Sequence, residues 1–167
     1  VLDNQGNQTA TLVASGSNRK NVTIDEIPLN LQHAFVAIED ARFYDHHGID
    51  IQGIARAAFV GITSGRFSEG ASTLTQQLLK NTVFTEWTSE RSPADKVERK
   101  IQEQYLAIQL EKKVDKDWIM ENYLNAINLG QNTLGVAVAS ERYFGKDVSD
   151  LTLSECAVLA AITQSPV

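Results

Sequence analysis

From Leu29 to the end of the chain, apolar residues recur at helical spacing, and that periodicity leaves little room for anything but packed helices. Leu31, Phe35, Ile38 and Ala41 follow it, and the pattern stops near Gly48. A second helix is expected from about Asp50, with Ile51, Ile54, Ala55, Ala58 and Ile62 on one face, before Gly61, Gly65 and Gly70 bracket a loop. Two capping boxes fix where later helices begin, because a Thr hydroxyl and a Gln or Glu side chain three residues on satisfy free backbone N–H groups reciprocally. Thr73-Leu74-Thr75-Gln76 predicts a helix reaching Asn81, and Thr152-Leu153-Ser154-Glu155 opens a last, apolar one. Between them, Thr82 to Pro93 reads as a loop. A long helix from about Asp95 carries Val97, Ile101, Tyr105 and Ile108, and another follows Asp115 with Ile119, Tyr123 and Ile127, ended by Gly130. Only the first twenty residues depart from the pattern: Thr9, Thr11 and Val13 alternate between Gly6 and Gly16, as in a short hairpin or an extended arm. With no repeats, low-complexity tract or linker, the chain reads as one mostly α domain.

Its 167 residues, 43% of them hydrophobic, suffice for one sizeable core. The net charge of −6 argues against a polyanion binder, so no nucleic-acid partner is expected. Nothing in the sequence reaches the roughly 18 apolar residues that a bilayer span needs. The chain opens on Val1-Leu2 and stops at Pro166-Val167, which suggests a piece of something longer, with any anchor outside it. Its single cysteine, Cys156, sits in an apolar run and reads as a buried thiol.

Two carboxylates stand out. Glu39 has Phe35 and Phe43 at i−4 and i+4, so a continuous helix would place it in an aromatic stripe; desolvation there raises a carboxyl pKa and suits general acid–base work. The alternative is a Glu at the edge of the buried face, turned to water or to Arg42. Glu103 follows Arg99 and Lys100 by one helical turn, which describes either a solvated salt-bridge face or, if this helix packs on the one ending at Lys80-Asn81, a cationic site for phosphate. The run Ser72-Thr73-Leu74-Thr75-Gln76-Gln77 is either plain capping or a bank of hydrogen-bonding groups. His46 and His47 beside Asp45 and Asp50 lack a second histidine at ligand spacing, which disfavours zinc. Phosphate-binding glycine loops and GxSxG elbows are absent.

These residues carry a resemblance. Glu39-Asp40-Ala41-Arg42-Phe43-Tyr44-Asp45-His46-His47-Gly48 is similar to the first signature of the peptidoglycan glycosyltransferases (glycosyltransferase family 51), found in class A penicillin-binding proteins and monofunctional transglycosylases. Gly70 to Asn81 resembles the second signature. Arg99-Lys100-Ile101-Gln102-Glu103 with Ala107, Leu110 and Glu111 resembles the third. Ile119 to Asn125 with Gly130 is similar to the fourth, and Tyr143 to Lys146 with Leu153, Glu155, Ala157 and Leu159-Ala160 to the fifth. Ala71 replaces a usual second Gly, and Gln102 a frequent Lys, which would remove one cation unless Arg91 supplies it.

The resemblance implies a lysozyme-like, two-lobed helical domain that polymerises lipid II with inversion and releases undecaprenyl diphosphate. Glu39 matches the base. Glu103 would be the second catalytic carboxylate, orienting cations or holding a divalent ion, Mg or Mn, with no obligatory cofactor. Lys80, Arg99 and Lys100 would hold the diphosphate, and Ser72, Thr73, Gln76, Gln77 and Asn81 the sugar and phosphate oxygens; Asp40, Arg42, Phe43, His46 and Arg91 complete the expected substrate-binding set. Phe59, Val60, Ile62 and Phe67 read either as core or as an apolar jaw facing the membrane. Implied partners are the growing glycan, the membrane surface, a moenomycin-type inhibitor and, in class A members, a transpeptidase domain that follows. The implied location is the outer face of the bacterial cytoplasmic membrane, held by a helix before Val1. A lysozyme-type hydrolase would use a similar Glu but has no use for the cations, and a glycan-docking module would need neither carboxylate.

Overall fold

The computed structural model describes residues 20–64, 71–83, 93–131 and 133–164. Within them the helical spacing becomes α1 (Leu29–Glu39), α2 (Ile51–Ser64), α3 (Leu74–Thr82), α4 (Pro93–Glu111), α5 (Lys116–Ala126), α6 (Val136–Phe144) and α7 (Leu153–Ile162). The described residues contain no sheet, only an isolated bridge between Asn128 and Leu134. The expectation of a mostly α, lysozyme-like domain is met in this helical content. The predicted N-terminal hairpin lies outside the described residues.

Both capping boxes form. The Thr73 hydroxyl accepts the Gln76 N–H at 3.2 Å while the Gln76 side chain accepts the Thr73 N–H at 3.0 Å. Thr152 and Glu155 repeat the exchange at 3.4 and 2.8 Å, and the Asp115 carboxylate accepts the Trp118 N–H at 2.8 Å to start α5. Each such cap contributes about 1 kcal/mol.

Leu31 and Phe35 of α1, Leu74 of α3, Tyr123 and Leu124 of α5 and Leu159 of α7 form the centre of one core. Helix α1 packs on α7, and α3 packs on both α4 and α5. Cys156 is buried as expected, and burial pushes its thiol pKa up.

Four expectations need correction. Helix α1 stops at Glu39 instead of running on toward Gly48, so Phe43 reaches the core from a turn and does not extend a helical stripe. Helix α2 runs through Gly61 to Ser64, so Gly61 lies inside the helix and does not bracket the loop that follows. It turns inward the small residues Gly53 and Gly61, a Cβ at Gly53 meeting the Asp50 carboxylate and the Arg42 guanidinium, and leaves Ile51 and Ile62 exposed. Helix α4 likewise exposes Val97, Ile101 and Tyr105, while Glu103 and Ala107 are buried. Helix α5 ends at Ala126, before Gly130, and α6 has no counterpart in the spacing argument.

Candidate active site

Glu39 is the last residue of α1, and the break that follows it builds the site. The Asp40 backbone leaves the helix at φ −156°, ψ 70°, which turns its carboxylate back into the protein. There it accepts the Leu74 N–H at 2.9 Å, a free donor in the first turn of α3, and faces His46 Nε2 at 2.9 Å. An anion at a helix N-terminus is favoured by both the free N–H groups and the helix dipole. Asp40 thereby ties the end of α1 to the start of α3.

Gly48 locks the same turn onto α4. Its φ is +95°, and a Cβ there would stand 2.6 Å from the Ala107 carbonyl carbon, so only glycine fits. The Thr73 hydroxyl donates to the Gly48 carbonyl at 2.7 Å. Phe43 is fully buried, with Lys116 Nζ 4.5 Å above its ring. That ammonium also donates to the His46 carbonyl at 2.8 Å and to Glu111 at 2.6 Å.

Glu39 is therefore surrounded by donors and not by the predicted aromatic stripe. Gln77 Nε2 donates to its Oε2 at 2.8 Å, Gln164 Nε2 donates to Oε1 at 3.0 Å, and the Thr163 hydroxyl is hydrogen-bonded to Oε1 as well. Behind Gln77 stands Tyr123, whose hydroxyl donates to the Gln77 carbonyl oxygen at 3.3 Å. Burial, with Glu39 and Asp40 adding their charge, pushes the Tyr123 phenol pKa up, so it stays a donor.

Glu103 is almost wholly buried, with 2% of its side chain exposed. Burying a carboxylate is costly unless charges and hydrogen bonds compensate it. Lys100 Nζ lies 2.6 Å from Oε1, Arg99 3.4 Å from Oε2, and Gln76 Nε2 donates to Oε1 at 3.0 Å. Lys100 also donates to the Ser72 hydroxyl at 2.7 Å. Helices α3 and α4 thus pack as the phosphate reading required.

Glu39, Ser72, Gln77, Lys80, Asn81, Arg99, Lys100 and Glu103 all line one cleft of about 800 Å³. Eight predicted residues, far apart in sequence, share it. Lys80 is exposed and has no partner among the described residues. A small crevice beside the cleft carries Asp40, Arg42 and Thr73. Arg42 is paired there with Asp50, whose Oδ1 accepts the Gly53 N–H at 2.9 Å. Burial opposes the Asp50 charge, but these contacts outweigh it and hold its pKa below the usual range.

Other expected substrate contacts have structural work instead. Phe43, His46 and Gln76 do not line the cleft: Phe43 fills core, His46 faces Asp40, and Gln76 supports Glu103 from below. Arg91 and Phe67 lie outside the described residues. Gln102 bonds Glu98 at 3.2 Å and lies beside Val97 and Ile101, so a lysine at that position would start from the outer side of α4. Sequence reasoning missed Thr163 and Gln164, which line the cleft opposite Gln77; no local signal marks them, since they meet Glu39 across 124 and 125 positions.

A divalent ion at Glu103 does not fit these residues. Both oxygens are already engaged by two cations and an amide, and no cluster of three or more His, Cys, Asp or Glu side chains exists among the described residues. Hard cations take several oxygen ligands.

A sequence profile of the transglycosylase family matches residues 5–167. Penicillin-binding protein 1A of Clostridium botulinum is 48% identical over 156 residues, covering 90% of this chain and 18% of that protein. Penicillin-binding protein 1F of Bacillus subtilis is 44% identical over 167 residues (99% and 22%), and penicillin-binding protein 1A of Escherichia coli 49% over 145 residues (87% and 16%). The chain spans less than a quarter of each relative. A cleft with one accessible carboxylate, a cationic wall and a profile match across nearly every residue place this chain in the transglycosylase family.

Proposed function

We propose that this domain is a peptidoglycan glycosyltransferase that polymerises lipid II, with Glu39 as general base and Lys80, Arg99 and Lys100 as the diphosphate site. The observation that carries the reading is that Glu39 and these three cations line one cleft. In the reaction the acceptor's 4-hydroxyl attacks the anomeric carbon of the growing chain. A new C–O bond forms on one face and the bond to diphosphate breaks on the other, giving inversion. The hydroxyl proton passes to Glu39, and the departing diphosphate keeps the bonding electrons. A neutral hydroxyl is a weak nucleophile, so a positioned base accelerates this step.

Charge gathers on the leaving diphosphate in the transition state. Fixed cations stabilise it there more than in the ground state, which raises kcat as well as affinity. Glu103 holds Arg99 and Lys100 in place, and Lys80, unpaired among the described residues, supplies a free ammonium. Ser72 and Asn81 offer hydrogen bonds to sugar and phosphate oxygens.

The same reading places the protein at the outer face of the cytoplasmic membrane, anchored by a segment before Val1, because the substrate's polyprenyl tail stays in lipid. Exposed Phe59, Val60 and Ile62 on α2 support the membrane-facing jaw over the core reading. No helix among the described residues is long and apolar enough to cross a membrane. The test is incubation of the full-length protein with labelled lipid II in detergent. Long glycan with release of undecaprenyl diphosphate is expected; free disaccharide alone would favour hydrolysis, and no turnover would end the proposal.

A further inference from the structure

The turn that ends α7 makes two of the three side-chain hydrogen bonds that the described residues give Glu39, yet it lies beyond every residue that the sequence motifs single out. Helix α7 packs along α1, so the C-terminal ends of the two helices meet at the cleft. Thr163 caps α7 through its N–H to the Ala160 carbonyl at 3.3 Å. Its side-chain oxygen lies 2.8 Å from that same carbonyl and is also hydrogen-bonded to Glu39 Oε1. Gln164 adds its amide to the same carboxylate oxygen at 3.0 Å.

A threonine hydroxyl has one proton and two lone pairs. The Ala160 carbonyl and an ionised Glu39 are both acceptors, so one hydroxyl cannot donate to both at once. With Glu39 ionised, the hydroxyl turns its proton to the carboxylate, and the Ala160 carbonyl keeps the Thr163 N–H. With Glu39 protonated on Oε1, Glu39 donates to Thr163 and Thr163 donates to Ala160, so all contacts are satisfied together.

We infer that Thr163 is a positioning residue for the general base, following the protonation state of Glu39 by rotating its hydroxyl, with Gln164 as a second fixed donor. The inference rests on the reading of Glu39 as the base. It explains how Glu39 can accept the acceptor's proton without its side chain moving: Gln77 on α3 holds one carboxylate oxygen and the α7 turn the other. Preorganisation of this kind removes reorganisation from the chemical step. The charged and titratable groups facing Glu39 from the surrounding elements are Tyr123 of α5, Lys80 of α3, Arg99, Lys100 and Glu103 of α4, Arg56 of α2 and neighbouring Asp40. None is altered by substitution at Thr163.

A hydrogen bond to the charged form of an acid favours that form, and charge-assisted bonds are the stronger. Thr163→Val removes the hydroxyl at nearly constant shape. In the full-length protein it should lower kcat for lipid II about tenfold with KM within about twofold, and move the acid limb of the kcat profile up by about half to one pH unit. Thr163→Ser, which keeps the hydroxyl, should restore both. Gln164→Ala, at an exposed position, should shift the limb the same way by less. The carboxyl of Glu39 is followed independently by 13C NMR of glutamate-labelled protein, assigned with Glu39→Gln; its titration midpoint should rise in Thr163→Val and return in Thr163→Ser. An unchanged midpoint in both Thr163→Val and Gln164→Ala, or a serine variant as impaired as the valine one, overturns the inference whether or not lipid II is turned over. A midpoint that rises in Thr163→Val and returns in Thr163→Ser, while the wild-type protein cannot polymerise lipid II, would instead overturn the assigned reaction while upholding the positioning contact.

Discussion

Lys80 and Lys100 line the same cleft, but replacing them should have different consequences, because only Lys100 has a structural duty. Lys100 holds buried Glu103 at 2.6 Å and Ser72 at 2.7 Å, whereas Lys80 has no partner among the described residues. Breaking a fully buried ion pair costs about 3 to 5 kcal/mol and an exposed one less than about 1 kcal/mol. Lys100 is 39% exposed against 2% for Glu103, and Arg99 and Gln76 remain after it is removed, so Lys100→Ala should cost about 1 to 2 kcal/mol. In a domain of this size that lowers Tm by roughly 2 to 8 °C. Lys80→Ala should leave Tm within about 2 °C, since surface substitutions stay within about 0.5 kcal/mol. Both should weaken binding of lipid II or of a moenomycin-type inhibitor roughly ten- to a hundredfold, the worth of one charge-assisted contact. Differential scanning calorimetry and a fluorescence binding titration separate the two effects, with exposed Lys112, in the turn just after α4, as control. Equal Tm losses for Lys80→Ala and Lys100→Ala, or unaltered binding in either, would refute the division of roles.

Gly48→Ala should destabilise the protein by more than about 2 kcal/mol, because the new Cβ meets the backbone of Ala107 at 2.6 Å and φ is +95°; a urea melt of near wild-type midpoint would contradict the close approach of that turn to α4. Glu155 is held down to a pKa of about 2 from an ordinary 4.5, first by the Lys146 side chain and then by Thr152. Its folded pKa is depressed, so its contribution is fully present above pH 4.5 and is lost as pH falls toward 2. Glu155→Gln should therefore flatten the acid limb of stability between those values, and an identical limb in the variant would show the pairing to be unimportant.

The sequence located helix starts best where a side chain caps the backbone, since capping is a local interaction that local residues specify: Thr73, Asp115 and Thr152 begin helices as read. It failed on which way helices face. Periodicity reveals that Val97, Ile101 and Tyr105 share a stripe on α4, but the stripe that packs holds Glu103, whose burial depends on Gln76, 27 positions away. The end of α1 at Glu39 was equally hidden, because the break depends on Asp40 finding the N-terminus of α3. Residue types for the cleft were legible through the resemblance, and eight of those named line it. Phe43 and His46, adjacent to them in sequence, instead build the support beneath. Thr163 and Gln164 could not be found from the chain alone, because their role exists only where α7 meets α1.

The central claim is that one cleft divides its labour, with Glu39 performing the proton transfer and the Lys80, Arg99 and Lys100 wall holding the diphosphate. It is tested most directly by measuring lipid II affinity and single-turnover rate together for Glu39→Gln in the full-length protein. The account predicts affinity within about threefold of wild type and a rate reduced at least a hundredfold, since general-base catalysis is worth about 10² to 10⁴. A variant that still polymerises at near the wild-type rate, or that loses affinity and rate in equal measure, would contradict it.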